Sequence, residues 1–148
     1  MNIQFSESND TISNKMIISW NGDTTILDKA QDGYVLAMEL FSRGEVESAC
    51  NNVRIFSEIY KRYNPGFENT LNALGYELMQ DEEIKSALQI FKLNVELYPG
   101  SYNVYDSYGE ALLNNGDRDE AIRNYRLSLE IFPESPSGNR VLQEIDKN

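Results

Sequence analysis

What constrains this chain most is a self-similarity at a spacing of 34 residues. Shifted by that amount, Leu74-Gly75 falls on Tyr108-Gly109, Ala87 on Ala121, Phe91 on Tyr125 and Pro99 on Pro133. A fixed period of this size means that one supersecondary unit recurs and that neighbouring units bury each other's apolar faces. The unit reads as two helices of about 14 residues packed antiparallel. Gly75 and Gly109 on the first helix, with Ala87 and Ala121 on the second, let the two approach closely. Pro99 and Pro133 end the second helix, because proline lacks the N–H that would continue the ladder.

Turn chemistry agrees with this reading. Asn114-Asn115-Gly116 supports left-handed backbone, and Asp117-x-x-Glu120 reads as a capping box opening the next helix. The earlier copy has Glu82 in place of Gly116, which predicts a less tight turn. Upstream, Leu36, Ala37, Leu40, Gly44 and Ala49 form a degenerate copy. A helix is expected from Leu27 to Ser42, with Gly33 against it, and a second from Glu45 to Tyr63, with Ile55, Phe56 and Ile59 as its apolar stripe. Past Pro133, the segment from Pro136 to Lys147 carries Val141, Leu142 and Ile145 on one face and Asn139, Arg140 and Glu144 on the other. It reads as a helix capping the last repeat.

The expected fold is therefore all-α: about three helix pairs in a right-handed superhelix plus a capping helix. The units are 27–67 (the degenerate pair), 68–101, 102–135, and 136–148 (the cap). Residues 1–26 form a separate N-terminal extended or hairpin segment. There Met16 to Trp20 and Thr24 to Ile26 read as two strands around an Asn21-Gly22 type I′ turn, with Trp20 as the anchor and residues 1–13 as disordered.

Composition narrows the chemistry. The chain has no histidine, which excludes histidine bases, serine–histidine triads and imidazole metal sites. One cysteine, Cys50, permits neither an internal disulfide nor a thiolate zinc cage, and a small buried hydrophobe is the plainer reading of it. With 24 acidic and 13 basic residues the net charge is −11, which disfavours nucleic acid and anionic lipid as partners. The acidic groups Asp81-Glu82-Glu83 and Asp117, Asp119, Glu120 lack calcium-loop spacing and lie at helix starts, where the dipole favours them. No metal or cofactor is implied. The chain shows neither a signal-peptide layout nor an apolar run long enough to span a membrane, so a cytoplasmic location is expected if it is complete, and otherwise that of its parent.

Residues 30–147 resemble the tetratricopeptide-repeat (TPR) family through the matched positions Leu71, Leu74, Gly75, Leu78, Ala87, Phe91 and Pro99, and Tyr105, Tyr108, Gly109, Leu112, Ala121, Tyr125 and Pro133. More narrowly, the stretches 71–78, 91–96 and 103–107 are similar to the C-terminal repeat domain appended to bacterial serine hydrolases of the beta-lactamase-like and esterase kinds. The catalytic motifs of those enzymes are missing: no serine has a lysine three positions on, and there is no Gly-x-Ser-x-Gly elbow. The resemblance implies a non-catalytic interaction module, either an accessory domain of a larger serine-hydrolase-like protein or a free-standing adaptor for a basic or aromatic peptide.

The family binds peptides in a groove lined by first helices, which here implies Asn69, Asn72, Tyr76, Asn103, Asp106, Glu110, Leu113 and Asn114. The cations of the family's carboxylate clamp are absent from these positions. Asp106 and Glu110, one turn apart, would either receive a partner's lysine or arginine or be ordinary solvated side chains. Of the tyrosines, Tyr98, Tyr105, Tyr108 and Tyr125 read mostly as packing residues, while Tyr76 and Tyr102 are candidates for recognition.

Overall fold

The computed structural model describes residues 3–4, 17–18 and 25–145, with side chains from Gly33 to Glu144 apart from Ile59 and Tyr63. Strands β1 (Ile3–Gln4) and β2 (Ile17–Ile18) are followed by helices α1 (Thr25–Ser42), α2 (Val46–Ile55), α3 (Ser57–Tyr63), α4 (Phe67–Gln80), α5 (Ile84–Leu97), α6 (Tyr102–Asn115), α7 (Arg118–Ile131) and α8 (Pro136–Ile145). Each helix packs mainly on its sequence neighbour, and α2 also reaches α5 while α4 reaches α6. This is the stacked helical-hairpin architecture that the 34-residue period predicts.

Small residues sit where the helices meet, as the pattern requires. A Cβ placed on Gly75 would lie 2.6 Å from the Phe91 ring, and one on Gly109 would lie 3.0 Å from Tyr125. In the degenerate pair the corresponding positions are Ala37 and Val53, both fully buried, so a smaller partner compensates for the added methyl. Gly33 has its own reason: the Phe56 ring lies 3.2 Å from where its Cβ would be. Ala87 and Ala121 are fully buried. Beyond the second helices, α5 stops at Leu97 and α7 at Ile131, two residues ahead of Pro99 and Pro133.

Four expectations need correcting. The second strand of the hairpin is absent: Ile17 and Ile18 pair antiparallel with Gln4 and Ile3, and Thr25 and Ile26 already belong to α1. Ile26 and Leu27 continue the helical spacing that leads to Ala30 and Ala37, and that period wins over a strand. Ile3 and Gln4 are accordingly strand, while Trp20 and the Asn21-Gly22 turn lie outside the described residues. The helix expected over 45–63 is two helices broken at Phe56, whose φ of −100° and ψ of 12° leave the helical region. The apolar stripe shifts with the break. Val46, Ala49, Cys50 and Val53 form the buried face of α2, and Ile55, two residues past Val53, is exposed.

The turn at Glu82 is as tight as its glycine counterparts. Glu82 adopts φ 63°, beside 74° at Gly44 and 91° at Gly116. In all three turns the left-handed residue donates to the carbonyl three back, and the next residue donates to the carbonyl five back: Gly44 to Phe41 and Glu45 to Leu40, Glu82 to Met79 and Glu83 to Leu78, Gly116 to Leu113 and Asp117 to Leu112. This is the Schellman closure of a helix C-terminus. It leaves Glu82 holding a strain of about 1 kcal/mol that glycine would not. Glu82→Gly is therefore expected to raise stability by about 1 kcal/mol and the melting midpoint by about 2–5 °C. Glu82→Ala, which removes the charge but keeps the strain, should gain little in the same calorimetric scan.

The capping box expected at Asp117 does not form. Asp117 makes no side-chain cap bond; its carboxylate accepts instead from Asn115 Nδ2 at 2.6 Å. Its ψ of 60° lies outside the extended geometry that aims an N-cap oxygen at the second and third amides of the helix.

Candidate functional site

First helices α4 and α6, together with α8, enclose a cavity of about 630 Å3. Tyr76, Asn103, Asp106, Glu110, Leu113 and Asn114, all expected in the groove, line it. Asn69 instead lines a second cleft of about 830 Å3 between α1 and α4. Asn72 lines neither, and its half-buried side chain keeps a buried Oδ1 with no hydrogen-bond partner.

Tyr76 is the strut of the first cavity. Its ring meets Phe91 edge-on at 5.2 Å, and its hydroxyl crosses from α4 to α6. There it donates to Glu110 Oε2 at 2.9 Å and lies 3.3 Å from Ser107 Oγ. Burial pushes this phenol up to about 12, with the Glu110 carboxylate adding to the effect, so it keeps its proton. Burial likewise raises the phenol of Tyr125 in the cavity floor. Asn114 folds back on its own helix, donating to Glu110 O at 2.9 Å.

Asp106 and Glu110 do share a face, yet they differ in availability. Glu110 is exposed. Asp106 is 8 % exposed and its Oδ2 is occupied: Ser135 Oγ donates to it at 2.7 Å and Ser137 Oγ donates to it as well. Ser135 Oγ also accepts from the Gly138 amide at 3.4 Å. The carboxylate thereby ties α6 to the loop and first turn leading into α8, and Asp106 Oδ1 remains buried without a partner. Of the expected acidic pair, Glu110 alone presents its carboxylate to solvent.

A third wall, not expected from the repeats, comes from α8. Pro136, Ser137, Arg140 and Val141 of α8 line the cavity, as do Tyr102 and Tyr125. A signal for this was present: one more 34-residue step from Asn103 and Asp106 reaches Ser137 and Arg140. Arg140 thus stands in the groove instead of on an outer face, while Val141 and Leu142 pack on Leu112, Ala121 and Tyr125. Tyr102 stacks on Phe132 with ring centroids 4.8 Å apart, and both rings are more than a third exposed. Tyr105 donates to Pro99 O at 3.2 Å.

Away from the groove, Cys50 is 2 % exposed and burial pushes its thiol up to about 11, which leaves almost no thiolate at neutral pH. Arg54 bridges α2 to Glu96 of α5 at 2.8 Å, with both side chains about 40 % exposed, so the pair contributes at most about 1 kcal/mol. Among the described residues no cluster of three or more cysteine, aspartate or glutamate side chains is placed to hold a metal. Among the described residues, too, no helix is long and apolar enough to cross a membrane.

No family model matches the chain, and no curated protein matches it in sequence. Solved structures do match in fold. A point mutant of MamA superposes with a TM-score of 0.53 at 22 % identity, covering 75 % of this chain and 78 % of that one. The first TPR of Spaghetti (RPAP3), bound to an HSP90 peptide of sequence SRMEEVD, superposes with a TM-score of 0.52 at 18 % identity, covering 81 % and 92 %. The close-packed glycine–aromatic pairs, the repeated turns and these superpositions together make the fold a TPR-type superhelix of helical hairpins.

Proposed function

We propose that this chain is a non-catalytic protein-interaction module that grips a partner segment in the cavity between α4, α6 and α8. The observation that carries the reading is the cavity itself: about 630 Å3, open, and walled by aromatic, hydroxyl and charged side chains from three successive elements. That volume falls within the usual range for ligand sites, and the similarly folded Spaghetti domain holds a peptide. In the narrower form of the proposal the partner is the catalytic domain of a serine-hydrolase-like protein, with this chain as its accessory domain, which rests on the resemblance in stretches 71–78, 91–96 and 103–107. A free-standing adaptor for a basic or aromatic peptide is the second reading, favoured by exposed Glu110 beside Tyr76 and Tyr102.

A photo-crosslinking residue placed at Leu113, inside the cavity, tests both. It should give a discrete adduct in cells, whereas the same residue at exposed Arg126 on α7 should not. An adduct within one longer polypeptide supports the accessory domain, and an adduct to a separate chain supports the adaptor. Identical adduct patterns from both positions, or none from either, would sink the proposal.

A further inference from the structure

The cleft between α1 and α4 differs from the cavity already described in a way the repeat register explains. The left-handed turn residues Gly44, Glu82 and Gly116 align the three hairpins, spaced 38 and then 34 residues apart. In that register Met38 stands where the next hairpin has Tyr76, and Ala73 stands where the following one has Ser107. The polar strut from Tyr76 to Ser107 and Glu110 spans the α4–α6 joint. At the α1–α4 joint two side chains without hydrogen-bonding groups replace it, and a cleft of about 830 Å3 stays open. Its floor is apolar: Met38, Phe41, Ala73, Leu74 and Leu78.

The rim carries a single sign. Glu77, Asp81 and Glu83 line the cleft, all three are exposed, and among the described residues no lysine or arginine lines it. Among the described residues facing across it, Met38 and Phe41 are apolar and the Ser42 hydroxyl turns back to donate to Glu39 O at 2.8 Å. An apolar slot edged on the α4 side by carboxylates, within a chain of net charge −11, attracts a cation and rewards an apolar anchor.

We propose that the α1–α4 cleft is a second docking site, taking a partner segment in which a leucine, methionine or phenylalanine is flanked by lysine or arginine. The proposal rests on the reading of the chain as an interaction module, but it uses a different cleft. Met38 suits such a site, because its unbranched thioether re-packs around different anchors. An acidic segment like the one bound to the Spaghetti domain would meet only like charge here.

The test uses the full chain, labelled with 15N, and three short synthetic peptides: one of lysines and leucines, one with serine replacing each leucine, and one with glutamate replacing each lysine. The lysine–leucine peptide is expected to bind with amide shifts centred on Met38, Ala73 and Leu74, while the other two bind at least about tenfold more weakly. The double variant Glu77→Lys/Asp81→Lys should weaken binding about tenfold or more. Glu130→Lys/Glu134→Lys, an equal charge change at exposed positions outside the cleft, should change it far less.

Equal losses from the two double variants would reduce the effect to the general field and overturn the site. Equal binding of the serine peptide would remove the apolar anchor and do the same. Shifts confined to α6 and α8 would overturn this site while leaving the first cavity standing. Self-association of the free chain, abolished by Glu77→Lys/Asp81→Lys, would make the occupant a second copy and overturn the proposed partner.

Discussion

Phe91→Ala is expected to cost about 3–5 kcal/mol, read as a lowered urea midpoint with an unchanged slope. The ring is fully buried, stacks edge-on against Tyr76 and fills the space left by Gly75. The informative part is the coupling. In the native chain Gly75→Ala would drive a methyl to 2.6 Å from the ring and should cost about 1–3 kcal/mol despite the better helix propensity of alanine. In the Phe91→Ala background the same substitution has room and should stabilise by up to about 1 kcal/mol. A reversal of sign across the double-mutant cycle identifies the close approach as the cause. Additive losses would show that Gly75 matters for another reason. If Phe91→Ala does not fold, Phe91→Val serves the cycle, since it reproduces the small second-helix partner found at Val53.

Asp106→Ala should loosen α8 from the body of the protein. The substitution strips Ser135, fully buried, and Ser137 of their shared acceptor and removes the link between α6 and the start of the last helix. A charged, buried hydrogen-bonded group of this kind is worth about 1.5–3 kcal/mol per bond. The expected signature is local: amides of α8 exchange much faster while those of α4 and α5 change little. Asp106→Asn, which keeps an acceptor oxygen, should retain most of the protection. Because α8 supplies Ser137, Arg140 and Val141 to the first cavity, Asp106→Ala should also abolish the Leu113 crosslink without touching a groove residue that faces solvent. Uniform loss of protection across all the helices would contradict the latch.

Much of this fold could be read directly from the residues, because its determinants are short-range and periodic. The glycine–aromatic pairs at 75/91 and 109/125 and the prolines at 99 and 133 each act within one hairpin. What escaped reading depends on other scales. Glutamate is a poor candidate for left-handed backbone, yet Glu82 takes it because the hydrogen bonds at Met79 and Leu78 fix the turn around it. At the break, Phe56 packs its ring over Gly33, 23 residues earlier, a contact that no local pattern displays. The groove divides along the same line. Helical counting finds Tyr76 and Glu110, but it cannot show that Asp106 is engaged by serines 29 and 31 residues away. Nor does it give α8 a wall of its own unless the 34-residue register is carried past the last complete repeat.

The way α2 leans on α5 has a kinetic consequence. Most of the other helix pairings join sequence neighbours, so the hairpins α4–α5 and α6–α7 close short loops and can form early and independently. The α2–α5 junction must wait, because α3 and α4 intervene and a longer segment of chain has to be brought to rest before any contact rewards it. The first hairpin is therefore expected to complete its docking after the other two have formed, with Tyr34 and Tyr60 settling on Phe67 of α4 as the α2–α5 junction closes.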